Sequence, residues 1–236
     1  MTHTHHRRGN SKSLASDYVV ITRVDRTNLD QTAYKNELHH RVEQFLTICA
    51  KHNPIAIATK DQKLKTVIRW ILGWTKEMNS GIHRCSAIKD VCTSPNPVPR
   101  AETHVIFTRK EDVIQALHEV NKADLGLSVV VSGVFDEVFQ VCAEIETSPH
   151  TVNMSLGTWG KTDCLPLEPI LSLVTMCGHS MISQHLCTHL IQRIRAGTMT
   201  PDEAAIEMGK QCTCNIFNVT RGAQILREHL GLEVKK

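Results

Sequence analysis

Residues 103–155 read THVIFTRKEDVIQALHEVNKADLGLSVVVSGVFDEVFQVCAEIETSPHTVNMS, and their apolar residues alternate between two periods. The β-branched runs at 103–108, 127–131 and 151–155 have strand composition. Between them, Val113, Ile114, Leu117 and Val120, then Phe135, Val138, Phe139, Cys142 and Ile145, recur at helical spacing. The order is β-α-β-α-β. Short connections with the usual right-handed crossover would make these strands parallel and cover them with helices.

The same logic extends upstream. YVVITRV at 18–24 reads as a strand. Tyr34, Leu38, Val42, Phe45, Leu46 and Cys49 then trace one helical face that stops near Asn53-Pro54. A short apolar run at 55–58 follows, and Leu64, Val67, Ile68, Ile71, Leu72 and Thr75 mark another helix. The expected fold class is α/β, a largely parallel sheet of about five strands with a helical C-terminal portion.

Five segments result. Residues 1–16 read as a disordered tail, 17–78 as a first α/β block, 79–102 as a linker, 103–160 as a second α/β block and 161–236 as a helical, cysteine-bearing region. The linker contains SPNPVPR, whose three prolines in five residues favour an extended path. In the last region, Leu167, Ile170, Leu171 and Val174 form one apolar stripe. Ile182, Leu186, Cys187, Leu190, Ile191 and Ile194 form a second. Thr200-Pro201-Asp202-Glu203 carries the N-cap, N1 proline and N3 glutamate of a capping box. A final helix capped by Asn218 carries Val219, Ala223, Leu226 and Leu230.

Charge narrows the function classes. The 236 residues carry 27 Lys+Arg against 24 Asp+Glu, and Arg7, Arg8 and Lys12 of the tail account for the excess of +3. A neutral remainder lacks the basic surface that phosphate-backbone recognition needs, so nucleic acid is a poor partner. No run approaches the roughly 20 apolar residues of a membrane span, so no membrane partner is expected. The N-terminus has no apolar signal core, which points to a cytoplasmic protein with reduced thiols. Neither HExxH nor G-x-S-x-G occurs. The sequon at Asn218-Val219-Thr220 is discounted for want of a secretory signal.

Nine cysteines are too many to ignore. Cys49, Cys142 and Cys187 lie on apolar stripes and are explained by packing. Cys85, Cys92, Cys164, Cys177, Cys212 and Cys214 do not. Cys177 sits with His179 at a break between helices, where free N–H groups favour a thiolate. Cys212 and Cys214 lie at a second break, after what reads as a helical hairpin that returns the chain. Three thiolates and a histidine suit zinc or an iron–sulfur cluster, so Cys177, His179, Cys212 and Cys214 are the expected metal ligands. Cys85, Cys92 and Cys164 are outside candidates. A second expectation concerns Ser132 and Gly133, and Gly157 and Gly160, glycine loops that would lie at the carboxyl edge of a parallel sheet and bind a small ligand there. Tight βα turns that require glycine are the favoured account of both loops. Asp136 and Glu137 read as helix-start stabilisers, and His39, His40, His185 and His189 as surface residues. His3, His5 and His6 could take up metal adventitiously.

The expected function is therefore metal or iron–sulfur binding, with the centre acting as a Lewis acid on a small anionic substrate. The alternatives are a non-catalytic ligand- or partner-binding module with structural cysteines or a structural zinc, and a reactive thiol at Cys177. Oligomeric state is not legible in the sequence.

Overall fold

The computed structural model describes residues 7–23, 32–59, 102–155, 157–212 and 216–232. The expected helix around Leu64–Thr75, nearly all of the linker, Cys85, Cys92 and Cys214 lie outside them. The chain divides into two compact units. One is continuous, Asp17–Ser148, and the other joins Met1–Ser16 to Pro149–Lys236.

The continuous unit is an α/β structure. The first helix of the chain, α1 (Ser11–Leu14), belongs to the other unit. The continuous unit then holds β1 (Tyr18–Arg23), α2 (Thr32–Ala50), β2 (Ala56–Thr59), β3 (Glu102–Phe107), α3 (Lys110–Ala123), β4 (Ser128–Ser132) and α4 (Phe135–Glu144). The sheet has four strands in the order β2-β3-β1-β4. Every neighbouring pair is antiparallel: Val20 faces Val105 on one side and Val131 on the other, and Ile57 faces Val105.

This overturns the expected parallel sheet of five strands. The helical crossovers β1-α2-β2 and β3-α3-β4 do join strands that run the same way, as antiparallel pairing to a shared neighbour requires. The two crossover units are interleaved, however: β3 lies between β1 and β2, and β1 lies between β3 and β4. The result is a split β-α-β arrangement. The expected fifth strand at 151–155 does not form, and those residues are exposed and irregular. Burial explains why the sequence misled. Tyr18 and Val20 on one face of β1 and Val19 and Ile21 on the other are all buried. Strands buried on both faces lose the alternation that marks an antiparallel sheet and read as the continuous apolar runs typical of parallel ones.

The core of this unit lies between one sheet face and its helices. Tyr18, Val20, Val105 and Phe107 pack against Val42, Phe45, Leu46 and Cys49 of α2 and against Val113, Ala116, Leu117 and Val120 of α3. The 3.6-residue period of those helical positions turns them to one side. At the solvent edge, Lys51 and His52 meet Glu119 at 3.1 and 3.0 Å, joining the end of α2 to α3.

The second unit is helical: α1, α5 (Ile170–Thr175), α6 (Gln184–Arg195), α7 (Pro201–Gly209) and α8 (Val219–Leu230), with a 3-10 turn at Thr162–Cys164. Its helix starts follow the sequence signals. Ser183 caps α6 by accepting from the His185 N–H, Thr200 and Glu203 form the reciprocal capping box of α7, and Asn218 accepts from the Arg221 N–H. Gly231, at φ 63°, closes α8 in the left-handed conformation. Gly222 leaves room for the Phe217 ring, which an added Cβ would meet at 3.0 Å, and for Ala205 of α7, which it would meet at 3.4 Å.

Residues 7–16, read from the sequence as a loose tail, belong to this unit. Arg221 on α8 is 1% exposed, its Nε donates to Ser13 Oγ at 3.0 Å, and a terminal nitrogen donates to the Arg8 carbonyl. Asn218 Nδ2 donates to the Ser16 carbonyl at 3.1 Å, and Arg7 donates to the Ile216 carbonyl. A buried guanidinium without such partners would cost several kcal/mol, so the segment is held by the charge it covers. The same contacts bury Asn218 completely, which closes the sequon side chain to modification.

Candidate functional site

The thiols separate by their surroundings. Cys49 and Cys187 are buried in apolar surroundings, as their stripes predicted. Burial pushes the Cys49 thiol well up, and pushes Cys187 up to about 11, its sulfur 3.9 Å from Met208 Sδ. Cys142 is half-buried and Cys164 exposed.

Cys177 and Cys212 differ from all of these. Cys177 follows α5 in the turn before α6, and Cys212 lies just beyond the end of α7. Both are buried, at 1% and 0% exposure, and their thiols are hydrogen-bonded neighbours. The expected return of the chain through α6 and α7 therefore does bring these sulfurs together. Neither is oxidised to a disulfide.

The turn around Cys177 has a particular form. Ser180 adopts φ 54°, and its N–H donates to the Cys177 carbonyl at 2.9 Å, folding Gly178–Met181 back over the cysteine. The backbone N–H groups of His179 and Met181 then point at the Cys177 sulfur. Two opposing influences meet there. The Cys212 thiol beside it and the loss of water raise the Cys177 pKa strongly, while the two N–H donors pull it down. The upward influences dominate, so the Cys177 thiol holds its proton more tightly than a free cysteine.

His179 thus acts on the sulfur through its backbone N–H. Among the described residues no group of three or more His, Cys, Asp or Glu side chains is placed to hold a metal ion, so His179 does not join the two sulfurs as a third ligand. Met181 was not singled out from the sequence, because a backbone donor leaves no trace in residue type.

A cavity of about 240 Å³ opens beside Cys177. Pro166, Val174 and Ile182 form its apolar wall, and Thr175, Ser180 and Gln184 add neutral polar groups. Thr175 Oγ1 is already committed, donating to the Leu171 carbonyl at 2.7 Å and accepting from the Arg8 N–H at 3.1 Å.

Packing and turn geometry account for the glycine loops, each within its own unit. Ser132 ends β4 and Gly133 follows it, where an added Cβ would lie 3.1 Å from the Tyr18 ring and 3.0 Å from Val138. Close packing therefore requires this glycine. The following helix start is occupied by Asp136 and Glu137, the latter paired with Lys110 at 3.1 Å. Gly157 and Gly160 have φ of 116° and 90° in an exposed stretch, and the described residues before them, 151–155, form no strand that would carry them at a sheet edge.

No helix among the described residues is long and apolar enough to cross a membrane. No protein-family model matches the chain, and neither a curated protein nor a solved structure matches it.

Proposed function

We propose that the helical unit binds a thiophilic metal centre, zinc or an iron–sulfur cluster, with Cys177 and Cys212 as two of its sulfur ligands. One observation carries this reading: two buried sulfurs held side by side, one of them receiving backbone N–H groups from His179 and Met181. A pair of neutral thiols gains little from such donors. Metal-bound thiolates gain much, because N–H groups aimed at a ligating sulfur offset its charge and tune the centre. A divalent cation supplies the charge that makes deprotonation of both thiols favourable, so binding releases protons and tightens as pH rises. Cys214, two residues after Cys212 in the sequence, is the sulfur that this reading would add as a third ligand. Three protein ligands would leave a fourth position for an exogenous ligand, the arrangement of a catalytic rather than a closed structural centre.

The raised thiol pKa tells against the reading of Cys177 as a free nucleophile, since the thiolate is the reactive form.

The test uses the full chain purified without oxygen, with His3, His5 and His6 replaced by alanine rather than removed, because residues 7–16 are part of the fold. Iron, zinc and acid-labile sulfide are quantified, and cobalt(II) is titrated while its sulfur charge-transfer band is followed. One centre per chain is expected. Cys177→Ser and Cys212→Ser should each weaken cobalt binding at least about 100-fold, by analogy with the loss of ligand-shell partners, while Cys49→Ser should not. Wild-type protein with neither metal nor a cobalt–sulfur band would reject the reading and return both cysteines to a packing role.

A further inference from the structure

Two thiols in contact inside a folded chain can exchange their S–H bonds for one bond between the sulfurs. Cys177 and Cys212 are placed for that change, because both are buried, their thiols share a hydrogen bond and both stand reduced. Cys49 and Cys187 offer the contrast. One lies among apolar side chains, and the sulfur of the other faces the Met208 thioether, which has no hydrogen to give up.

Access reaches the pair through one member. Cys177 lines the cavity of about 240 Å³, which at about 30 Å³ per water has room for roughly eight waters, whereas Cys212 is 0% exposed. The N–H groups of His179 and Met181 point at the Cys177 sulfur, where they meet the negative charge that appears on it as it reacts.

We propose that Cys177 and Cys212 form a reversible dithiol–disulfide pair that equilibrates with small disulfides entering through this cavity, Cys177 reacting first. The inference needs only the two sulfurs and does not rest on the metal reading above, although a disulfide, having no thiolate to offer a cation, would close that site. Cys177 gives its proton to solvent and its sulfur attacks one sulfur of the small disulfide; the old S–S bond breaks and the leaving thiolate departs as a thiol after taking up a proton. Cys212 then loses its proton and attacks the Cys177 sulfur, which closes the internal bond and releases the second small thiol. Two protein thiols are oxidised and one small disulfide is reduced to two thiols. The second step is fast in relative terms, since its partners are already side by side. The first is slow, because Cys177 holds its proton tightly, so the pair follows a sustained redox change and does not turn over as a catalyst. Closure ties the turn before α6 to the end of α7 in a covalent ring that contains both helices, which restrains the unfolded chain.

The experiment equilibrates the full-length chain, with EDTA present, against mixtures of 2-hydroxyethyl disulfide and 2-mercaptoethanol, starting from both the reduced and the oxidised protein. Intact mass, peptide mapping after alkylation and thermal unfolding are read for each mixture. A loss of two hydrogens per chain is expected, mapped to a Cys177–Cys212 bond, reversed by excess thiol, and accompanied by a rise in Tm of about 5 °C or more. In Cys212→Ser a mixed disulfide should stop on Cys177, and in Cys177→Ser the Cys212 thiol should stay unmodified. Free thiols at both positions in the most oxidising mixture, a bond from either to a different cysteine such as Cys214, or a Tm that fails to rise on oxidation overturns the proposal. Modification of Cys212 in Cys177→Ser overturns the assigned order and the cavity as the route. EDTA keeps these outcomes independent of metal uptake, so failure here leaves the metal reading to the cobalt titration, and failure there leaves the redox pair standing.

Discussion

The two units bury sulfur in different company. Cys49 of the α/β unit is surrounded by Val42, Phe45, Leu46 and the sheet, and only the loss of water acts on its thiol. Cys177 of the helical unit is as well buried, yet it faces a second thiol and two backbone N–H groups. Burial alone therefore does not make these cysteines alike. What sets Cys177 apart is that polar groups have been brought to its sulfur, since each has lost water and that loss must be offset by the contact it makes. Cys187 sharpens the point, because it shares the helical unit with Cys177 but touches Met208 and behaves like Cys49.

The contrast extends to what else each interior contains, and three changes would strain it. The largest effect is expected in the helical unit. Arg221→Met keeps the apolar stem but removes the donors to Ser13 and the Arg8 carbonyl, leaving the buried Ser13 hydroxyl and a part-buried carbonyl without them; a loss of about 3 kcal/mol is expected in urea denaturation. A loss below about 1 kcal/mol, the scale of an ordinary surface change, would mean that residues 7–16 are not held as described.

A smaller effect comes from Tyr18, whose phenol is buried in the α/β core. Burial, then the charges of Glu137 and Glu111, raise the Tyr18 pKa from 10.0 to about 12. The folded state therefore holds the phenolic proton more tightly than the unfolded chain. Its contribution is full below pH 10 and is lost as pH rises to about 12, a fall of about 2 kcal/mol for this residue. Tyr18→Phe should flatten the decline in denaturation curves measured across that window, and an undiminished decline would assign it to other groups.

Least costly is Thr200→Ala, which breaks the capping box of α7. About 1 kcal/mol of stability should disappear, and the cobalt affinity should hold, if α7 positions Cys212 by packing rather than by its first turn.

The elements of both units were legible because periodicity reports local structure. Strands β1 to β4 and helices α2 to α4 lie close to where alternation and helical spacing put them. Their interleaving was not legible: inserting β3 between β1 and β2 leaves no local mark, and Val19 and Ile21, buried opposite Tyr18 and Val20, erased the alternation that would have signalled antiparallel pairing. The site divides similarly. Cys177 and Cys212 stood out because they fall at helix breaks, outside the apolar stripes. The imidazole of His179 was read as a ligand because residue type is what a sequence displays, whereas the backbone N–H groups of His179 and Met181 could belong to any residue. Arg221 went unnoticed for the opposite reason, since an arginine in a helix ordinarily reads as solvated.

The helical unit is also discontinuous, closing Met1–Ser16 onto Pro149–Lys236 around an inserted α/β unit, and this orders events during synthesis. A nascent chain released from the ribosome up to residue 148 already holds every strand of the sheet. Ser13, however, waits for Arg221, 208 residues later, and Cys177 waits for Cys212. Domains that complete early fold early. On that timetable the α/β unit is finished while the thiol pair does not yet exist.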